Sequence, residues 1–540
     1  MKNILTPGGI ATVDPKDVSA VAPAAMTDDQ KKLKALIERR HPAYSDASKH
    51  WQFLDATYEG GRAWFNEDNI FRYVKEGDGE YRDRLRRCYR FNHSREVVDL
   101  LNKYLFKQNI TRSDDAPESV KQFWNKATKD GLTVKDFSRQ VGKKTSIYGR
   151  VGVVVDNTNT GGAIVSKADE KQANIRTYAY IVTPIQILDY AYDDDGDLNW
   201  ILISEVARDD ADPMSSSGAQ LERWRLWTKN EWHLFERQKR GRRDVIVEIG
   251  QGAHNLGEVP VIFADHIISD EKYVAPSLID DIAYLDRAVA NYLSNLDEII
   301  QDQTFSQLVM PAQNVMPGDD NYAKLVEMGT KRTFLYDGEG GRGPEYISPD
   351  PRQAQLILSV INKIINEIYH TVGLAGERTK QDNALGIDNS SGVAKAYDFE
   401  RVNALLQAKA DSLEAFESKL ARLVALWNGD EGRMGEKSLI SYPDNFDTRG
   451  LYDEFDIAAR LSLVDAPQVV RQEQMKMLID KLFPQLAKDI KDQMLEQLKE
   501  WPKDPIEMAA EMAAATAGTD KQALQKESDR GVAKQTISQN

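Results

Sequence analysis

The stretch PSLIDDIAYLDRAVANYLSNLDEII (276–300) decides how the chain around it is read. Ser277 can cap a helix there, and Asp280 at the third helical position completes a Ser-x-x-Asp variant of the capping box. Leu278, Ile282, Leu285, Val289, Tyr292, Leu296 and Ile299 then recur at alternating steps of four and three, the period of one helix face. Further on, SSGVAKAYDFERVNALLQAKADSLEAFESKLARLVALW (390–427) repeats the pattern. Val402, Leu406, Leu413, Phe416, Leu420, Leu423 and Trp427 form its stripe, with Lys409 as the one polar intruder and Asn428-Gly429 as the stop. A helix from Ser391 to Trp427 would run roughly 55 Å, longer than most globular helices. The plain alternative is two core helices of an ordinary large protein.

The 540 residues allow three or four domains, and 41% hydrophobic content suffices for real cores. A formal net charge of −15 argues against a surface that binds nucleic-acid phosphates at large, though not against one that lets DNA slide past. A single cysteine, Cys88, leaves no internal disulfide and suits a reducing compartment. Its basic neighbours Arg86, Arg87 and Arg90 could activate a thiol, but without a partner motif a structural role is the reading. No apolar run reaches a membrane-spanning length, so no membrane partner is expected. Met1–Thr27 reads as a Pro/Ala/Gly arm without a signal segment.

Between arm and first long helix the period changes. Thr27 caps a helix through Ile37, with Pro42 as its stop; aromatic-rich helix and loop follow to Tyr81. Ser94–Phe106, Pro117–Lys129 and Thr133–Ser146 read as helices. Arg150–Val155 is a clear strand, and Thr177–Val182, Ile185–Tyr192, Asn199–Ala207, Leu221–Trp227, Glu231–Glu236, Asp244–Glu248 and Val261–Ala264 continue a β-rich region. Thr304–Asp350 reads as strand 306–310, short helix 319–328, strand 331–336, a glycine loop and a last strand near Tyr346. Pro351–Val372 is helical, Gly373–Ser391 a polar loop, and Ser438–Tyr442 a strand rejoining the earlier sheet. Asp465–Trp501 is helical with a break near Pro484, and residues from about Ala517 read as a disordered tail.

Motifs that would carry chemistry fail on spacing. Gly142-Lys143-Lys144-Thr145 lacks the glycine a phosphate loop needs five residues earlier, where Phe137 stands. Asp193–Asp197 starts like a calcium loop, but its twelfth position is Ser204, so a reverse turn is expected. The seven histidines form no metal-ligand spacing, and no Gly-x-Ser-x-Gly elbow occurs. No catalytic residue, metal site or cofactor is expected. Arg237–Arg243 reads as a charged hairpin tip.

The ordered set resembles the portal (head–tail connector) proteins of tailed bacteriophages. Three segments carry the likeness: HNLGEVPVIF (254–263), the Asn291- and Asn295-bearing helix after PSLIDDI, and the long helix opening at Ser390-Ser391-Gly392. It covers roughly Tyr44 to Trp501. The resemblance implies an α+β, predominantly helical subunit with wing, stem, clip and crown and a long kinked helix, assembling into a closed ring, usually of twelve copies.

In that layout residues 1–26 are a disordered arm, 27–275 the wing, 276–303 the stem helix, 304–350 the clip and 351–372 the second stem helix. Residues 373–391 are the tunnel loop, 392–455 the long helix with its return to the wing, 456–516 the crown, and 517–540 a disordered tail. Ile282, Leu285, Val289, Tyr292 and Leu296 become stem contacts between subunits, and Arg378, Lys380, Gln381, Asn383, Asp388 and Asn389 tunnel-loop residues. Implied partners are further copies of the chain, the terminase large subunit, head-completion or adaptor and tail proteins, capsid protein, and double-stranded DNA passing without sequence specificity. The protein would sit at the portal vertex of the virion after assembly in the host bacterial cytoplasm. Asp280, Asp281, Asp286, Asp297, Glu298 and Asp302, set against Arg287, could give a channel face that repels phosphates. A carboxylate-dependent hydrolase or nuclease, and a virion protein without a channel, are the competing readings.

Overall fold

The computed structural model describes residues 27–74, 76–157, 176–240, 243–304, 307–311, 333–336, 345–347, 352–374, 392–435, 438–443, 446, 468–482 and 488–498. The chain divides into two units, Met1–Phe446 and Asp447–Asn540. In the second unit, α10 (Gln468–Leu482) and α11 (Lys488–Leu498) pack on each other. They fall within the expected Asp465–Trp501 helical segment.

The first unit opens with α1 (Asp28–Ile37), which Thr27 caps by accepting from the Gln30 amide. Pro42 is not its stop: it is the first residue of α2 (Pro42–Glu59), where a missing N–H costs nothing. The helices α3 (Asp78–Arg87), α4 (His93–Leu105), α5 (Glu118–Asn125) and α6 (Val134–Tyr148) follow, with the short strand β1 (Thr111–Arg112) before α5.

The β-rich region is two sheets, not one. β2 (Arg150–Asn157) lies between β3 (Thr177–Val182) and β9 (Val261–Asp265), antiparallel to both. A meander of five antiparallel strands forms the other: β4 (Ile187–Tyr192), β5 (Leu198–Arg208), β6 (Gln220–Thr228), β7 (Glu231–Arg240) and β8 (Arg243–Ala253). Trp224 and Trp227, an odd number of residues apart, serve opposite faces. Trp224 joins Ile37 of α1, Leu188, Leu202 and Phe235 in one small core, and Trp227 joins the main one. Strand Ile440–Ser441 (β13) does not rejoin either sheet. It pairs with β1 in a separate two-stranded ribbon.

Two long helices follow the sheets: α7 (Asp280–Thr304) and, after a small sheet, α8 (Arg352–Thr371). The 36-residue α9 (Gly392–Trp427) then runs through the main core and packs on β9, β2, α4, α5 and α6. Val402, Leu406, Leu413, Phe416, Leu420 and Leu423 are all buried, as their spacing predicts. The stripe also buries Glu417, whose carboxylate accepts from Arg112 Nε (2.6 Å) and Nη2 (3.1 Å), Ser138 Oγ (3.1 Å) and Tyr442 Oη (2.7 Å). Four donors saturate it, which is what a buried carboxylate requires.

The α6–β2 corner is equally constrained. Gly149 has φ +80°, and a Cβ there would lie 1.9 Å from the Ala275 carbonyl oxygen just before α7. Only glycine fits both the backbone angle and the approach. Gly149→Ala is therefore expected to destabilise the fold by about 2 kcal/mol or more, read as a lowered midpoint in urea unfolding.

Candidate functional site

The module built from α7, the inserted sheet and α8 is the candidate site, with the segment that follows it. The Ser277 N–H donates to Asp280 Oδ2 at 2.8 Å and the Ile279 N–H to Ser277 Oγ at 3.0 Å, the reciprocal cap that the sequence suggests. Ser277 Oγ also donates to the carbonyls of Ser146 (3.0 Å) and Ile147 (2.8 Å), fixing the start of α7 to the end of α6. Between the two helices β10 (Gln307–Pro311) pairs parallel to β11 (Thr333–Tyr336) and antiparallel to β12 (Glu345–Ile347). These are the three strands expected in the insert; the expected helix 319–328 lies outside the described residues.

The stripe of α7 meets its own chain. Ile282, Val289, Leu293 and Leu296 are buried against a core that includes Ile361, Ile365 and Ile368 of α8, and Leu285 is packed on it. Of the residues assigned to subunit contacts, only Tyr292 is exposed, with Tyr284 two turns earlier on the same outer face. Sequence periodicity finds the apolar face but cannot say whether its partner is in the same chain.

The acidic residues of α7 also divide. Asp286 is fully buried; it accepts from Ser94 N (3.2 Å) and Oγ (2.9 Å) at the N-terminus of α4 and lies 3.9 Å from Arg90. Asp280 bonds His50 at 2.8 Å, while Asp297 and Glu298 pair with Arg87 at 3.6 and 2.8 Å. Arg287 stacks over Phe53, Phe71 and Tyr284. Among the described side chains the acidic face expected of this helix is thus largely paired or buried, with Asp281 exposed; the Asp302 side chain lies outside them.

At the far end of α8, Gly373 (φ +76°) ends the helix against Arg401 and Val402 of α9, and the Leu374 N–H closes on the Tyr369 carbonyl at 2.8 Å. Leu374 is buried, so the segment that follows starts from a fixed point. Arg378, Lys380, Gln381, Asn383, Asp388 and Asn389 lie outside the described residues.

The rejected motifs have structural roles. Gly142 sits mid-helix where its bare Cα lets Asn102, Phe106 and Leu413 approach. Asp193 Oδ1 accepts from the amides of Asp195 (3.1 Å) and Asp197 (2.9 Å), making the turn between β4 and β5. Arg237 and Arg243 flank the β7–β8 hairpin. Cys88 is buried and donates to Ser294 Oγ. Among the described residues no group of acids, histidines and cysteines could hold a metal ion, and no helix is long and apolar enough to cross a membrane.

Sequence reasoning missed one cluster. Lys409 is fully buried, with Nζ 2.7 Å from Ser146 Oγ, 2.8 Å from His266 Nδ1 and 3.4 Å from Thr145 Oγ1. The nearest acid of β9, Asp265, is held bidentate by Arg150 at 2.6 and 2.8 Å. Burial lowers the amine to about 7. Burial, and then Lys409 itself, holds His266 well below the usual imidazole value. Only the polar intruder in an apolar stripe hinted at this in the sequence.

The cluster has a sign. The unfolded chain binds a proton at Lys409 up to roughly pH 10.4, the folded chain only below about 7. Stability therefore rises with pH between those values and is lower beneath them, and His266 extends the fall below roughly pH 6.5. Thermal melts between pH 7 and 9 are expected to show a rising midpoint for the native chain and a nearly flat one for Lys409→Met.

The family described as "Phage portal protein, SPP1 Gp6-like" matches residues 48–507. The chain belongs to that family, and its role is that of a bacteriophage portal, the head–tail connector of the virion. The family is structural, not enzymatic. No curated protein matches the chain in sequence. Among solved structures, the chain is similar to one in the "Neck of empty GTA particle computed with C6 symmetry", at 11% identity and a TM-score of 0.37, covering 77% of this chain and 98% of that one.

Proposed function

We propose that copies of this chain close into a ring through which double-stranded DNA is packaged and later ejected. The observation that carries this is the α7–sheet–α8 hairpin, ended by the turn at Gly373, with the 36-residue α9 beginning at Gly392, all within the span matched by the family. A hairpin of two antiparallel helices tipped by a small sheet suits a stem ending in a clip. Its inner face is already packed, so its outer face, with Tyr284 and Tyr292, is the one offered to a neighbouring copy. In a ring each such contact is heterologous and closes on itself.

On this reading the two sheets with the helices before them form the wing, residues 304–350 the clip, 373–391 the tunnel loop and 456–516 the crown. The clip docks the terminase motor during packaging and head-completion or tail proteins afterwards. A conduit of this kind makes and cuts no bond. It must avoid holding DNA tightly, and α7 keeps more acids than the Arg87 that Asp297 and Glu298 share can offset, so its face repels phosphates. Arg378 and Lys380 add a few salt-sensitive phosphate contacts at the narrowest point.

Light scattering coupled to size exclusion tests the ring: a particle near twelve times 61.0 kDa is expected, and a monomer under all conditions contradicts it. Deleting residues 375–389 should leave that particle intact while reducing packaged or retained DNA by roughly tenfold or more; full packaging would remove the loop from the channel. Tyr292→Asp should weaken assembly with little change in the melting of the single subunit, because that side chain is partly exposed in it.

A further inference from the structure

The sheet order β3-β2-β9 leaves β3 at an edge. The Ala179 N–H donates away from the sheet, to the Ala127 carbonyl at 2.7 Å. That sets the alternation: Tyr178, Tyr180 and Val182 exchange backbone bonds with β2, while residues 177, 179 and 181 turn theirs outward. The Ala179 carbonyl and both backbone groups of Ile181 therefore face out, with no strand beside them among the described residues.

They face a groove of about 760 Å³. Its floor is β3; one wall is α6, with Gln140, Lys143 and Lys144, and the other is the five-stranded sheet, with Glu205 and Arg225. The Tyr180 side chain lines the groove, and its hydroxyl is buried without a hydrogen-bond partner, an unusual state for such a group. Arg225 is already engaged, 2.7 Å from Glu205 and 4.0 Å from Asp156. Lys144 lies 3.6 Å from Asp55, and Lys143 lies over the Tyr58 ring. Lys129 and Asp130 stand at one end. The α6 wall is cationic in a chain whose net charge is −15.

We infer that this slot receives an extended, acidic segment from a neighbouring copy of the chain, which adds to β3 as a fourth strand. The inference rests on the ring proposed above. A second copy is the occupant because the apolar stripe of α7 is used inside its own chain, so contact around the ring needs other surface, and because an acidic chain supplies what a lysine wall attracts. Alternate residues of the incoming strand face the two walls. Those toward α6 carry carboxylates for Lys143 and Lys144, and those toward the sheet lie beside Tyr180 and the Glu205–Arg225 pair.

Hydrogen exchange on the full-length protein, followed by mass spectrometry over residues 176–183, tests this. The Ile181 amide is expected to exchange ~10-fold or more slowly in the assembled particle than in the dilute subunit. The double variant Lys143→Gln, Lys144→Gln should raise the concentration needed for assembly by ~10-fold, beyond any small fall in the subunit's own melting from loss of the Asp55 and Tyr58 contacts. Ile181→Pro should do the same, since the N–H it removes points away from β2; if it fails to fold, exchange and the lysine variant decide. A particle that forms while Ile181 exchanges as fast as in the subunit overturns the slot and leaves the ring standing. A chain that never assembles overturns both. Protection already present in the dilute subunit means that the chain's own segment fills the groove, and protection seen only in whole virions means another protein does. Either result overturns the assignment to a second copy.

Discussion

Burial of α9 is the constraint on which the first unit depends. One helix of 36 residues has to satisfy the three-stranded sheet, the β13 strand and three other helices at once. Leucine and phenylalanine do this by area alone, but two positions in the stripe are ionisable, and they are resolved in opposite ways. Glu417 is saturated, because four donors from three other parts of the chain converge on it. Lys409 meets only a hydroxyl pair and an imidazole, and so gives up its charge near neutrality. Breaking a saturated carboxylate leaves Arg112 stranded, whereas an amine that is already uncharged costs the fold little once lost.

Much of this was legible in the sequence, and the gaps have physical causes. Helix faces and strand positions came through because period 3.6 and period 2 report burial directly. The caps at Thr27 and Ser277 were readable because their chemistry is local. Sheet membership was not: one β-rich region turned out to be two sheets, and Ile440–Ser441 joined Thr111–Arg112, because partner choice is set by contacts hundreds of residues apart. Pro42 was read as a stop although it starts α2, since proline suits the first helical turn as well as it terminates the previous one.

The site was legible in outline only. Spacing located the stripe Ile282–Leu296 correctly but not its partner, which is α8 of the same chain for the buried members. Acidic residues counted along α7 suggested a repulsive face. The counter-charges came from Arg87, Arg90 and His50, nearly two hundred residues earlier or more, and no linear reading pairs them. Family membership fixes the role as a portal, while the assignment of particular residues to channel and subunit contacts stays with the proposals.

The corner where β2 leaves α6 has a mechanical meaning. Arg150 and Asp265 are directly opposite in the β2–β9 ladder, and their side chains are joined by two charge-assisted bonds. Tension entering through α6 and through the segment leading to α7 would pull on those two neighbouring ends and open the ladder like a zipper, one rung at a time. The ion pair is riveted across the first rung, and Arg150 also grips the carbonyls of Glu271 and Lys272 just beyond it. The seam between the sheets and the long helices is thus fastened at the point where tearing would begin.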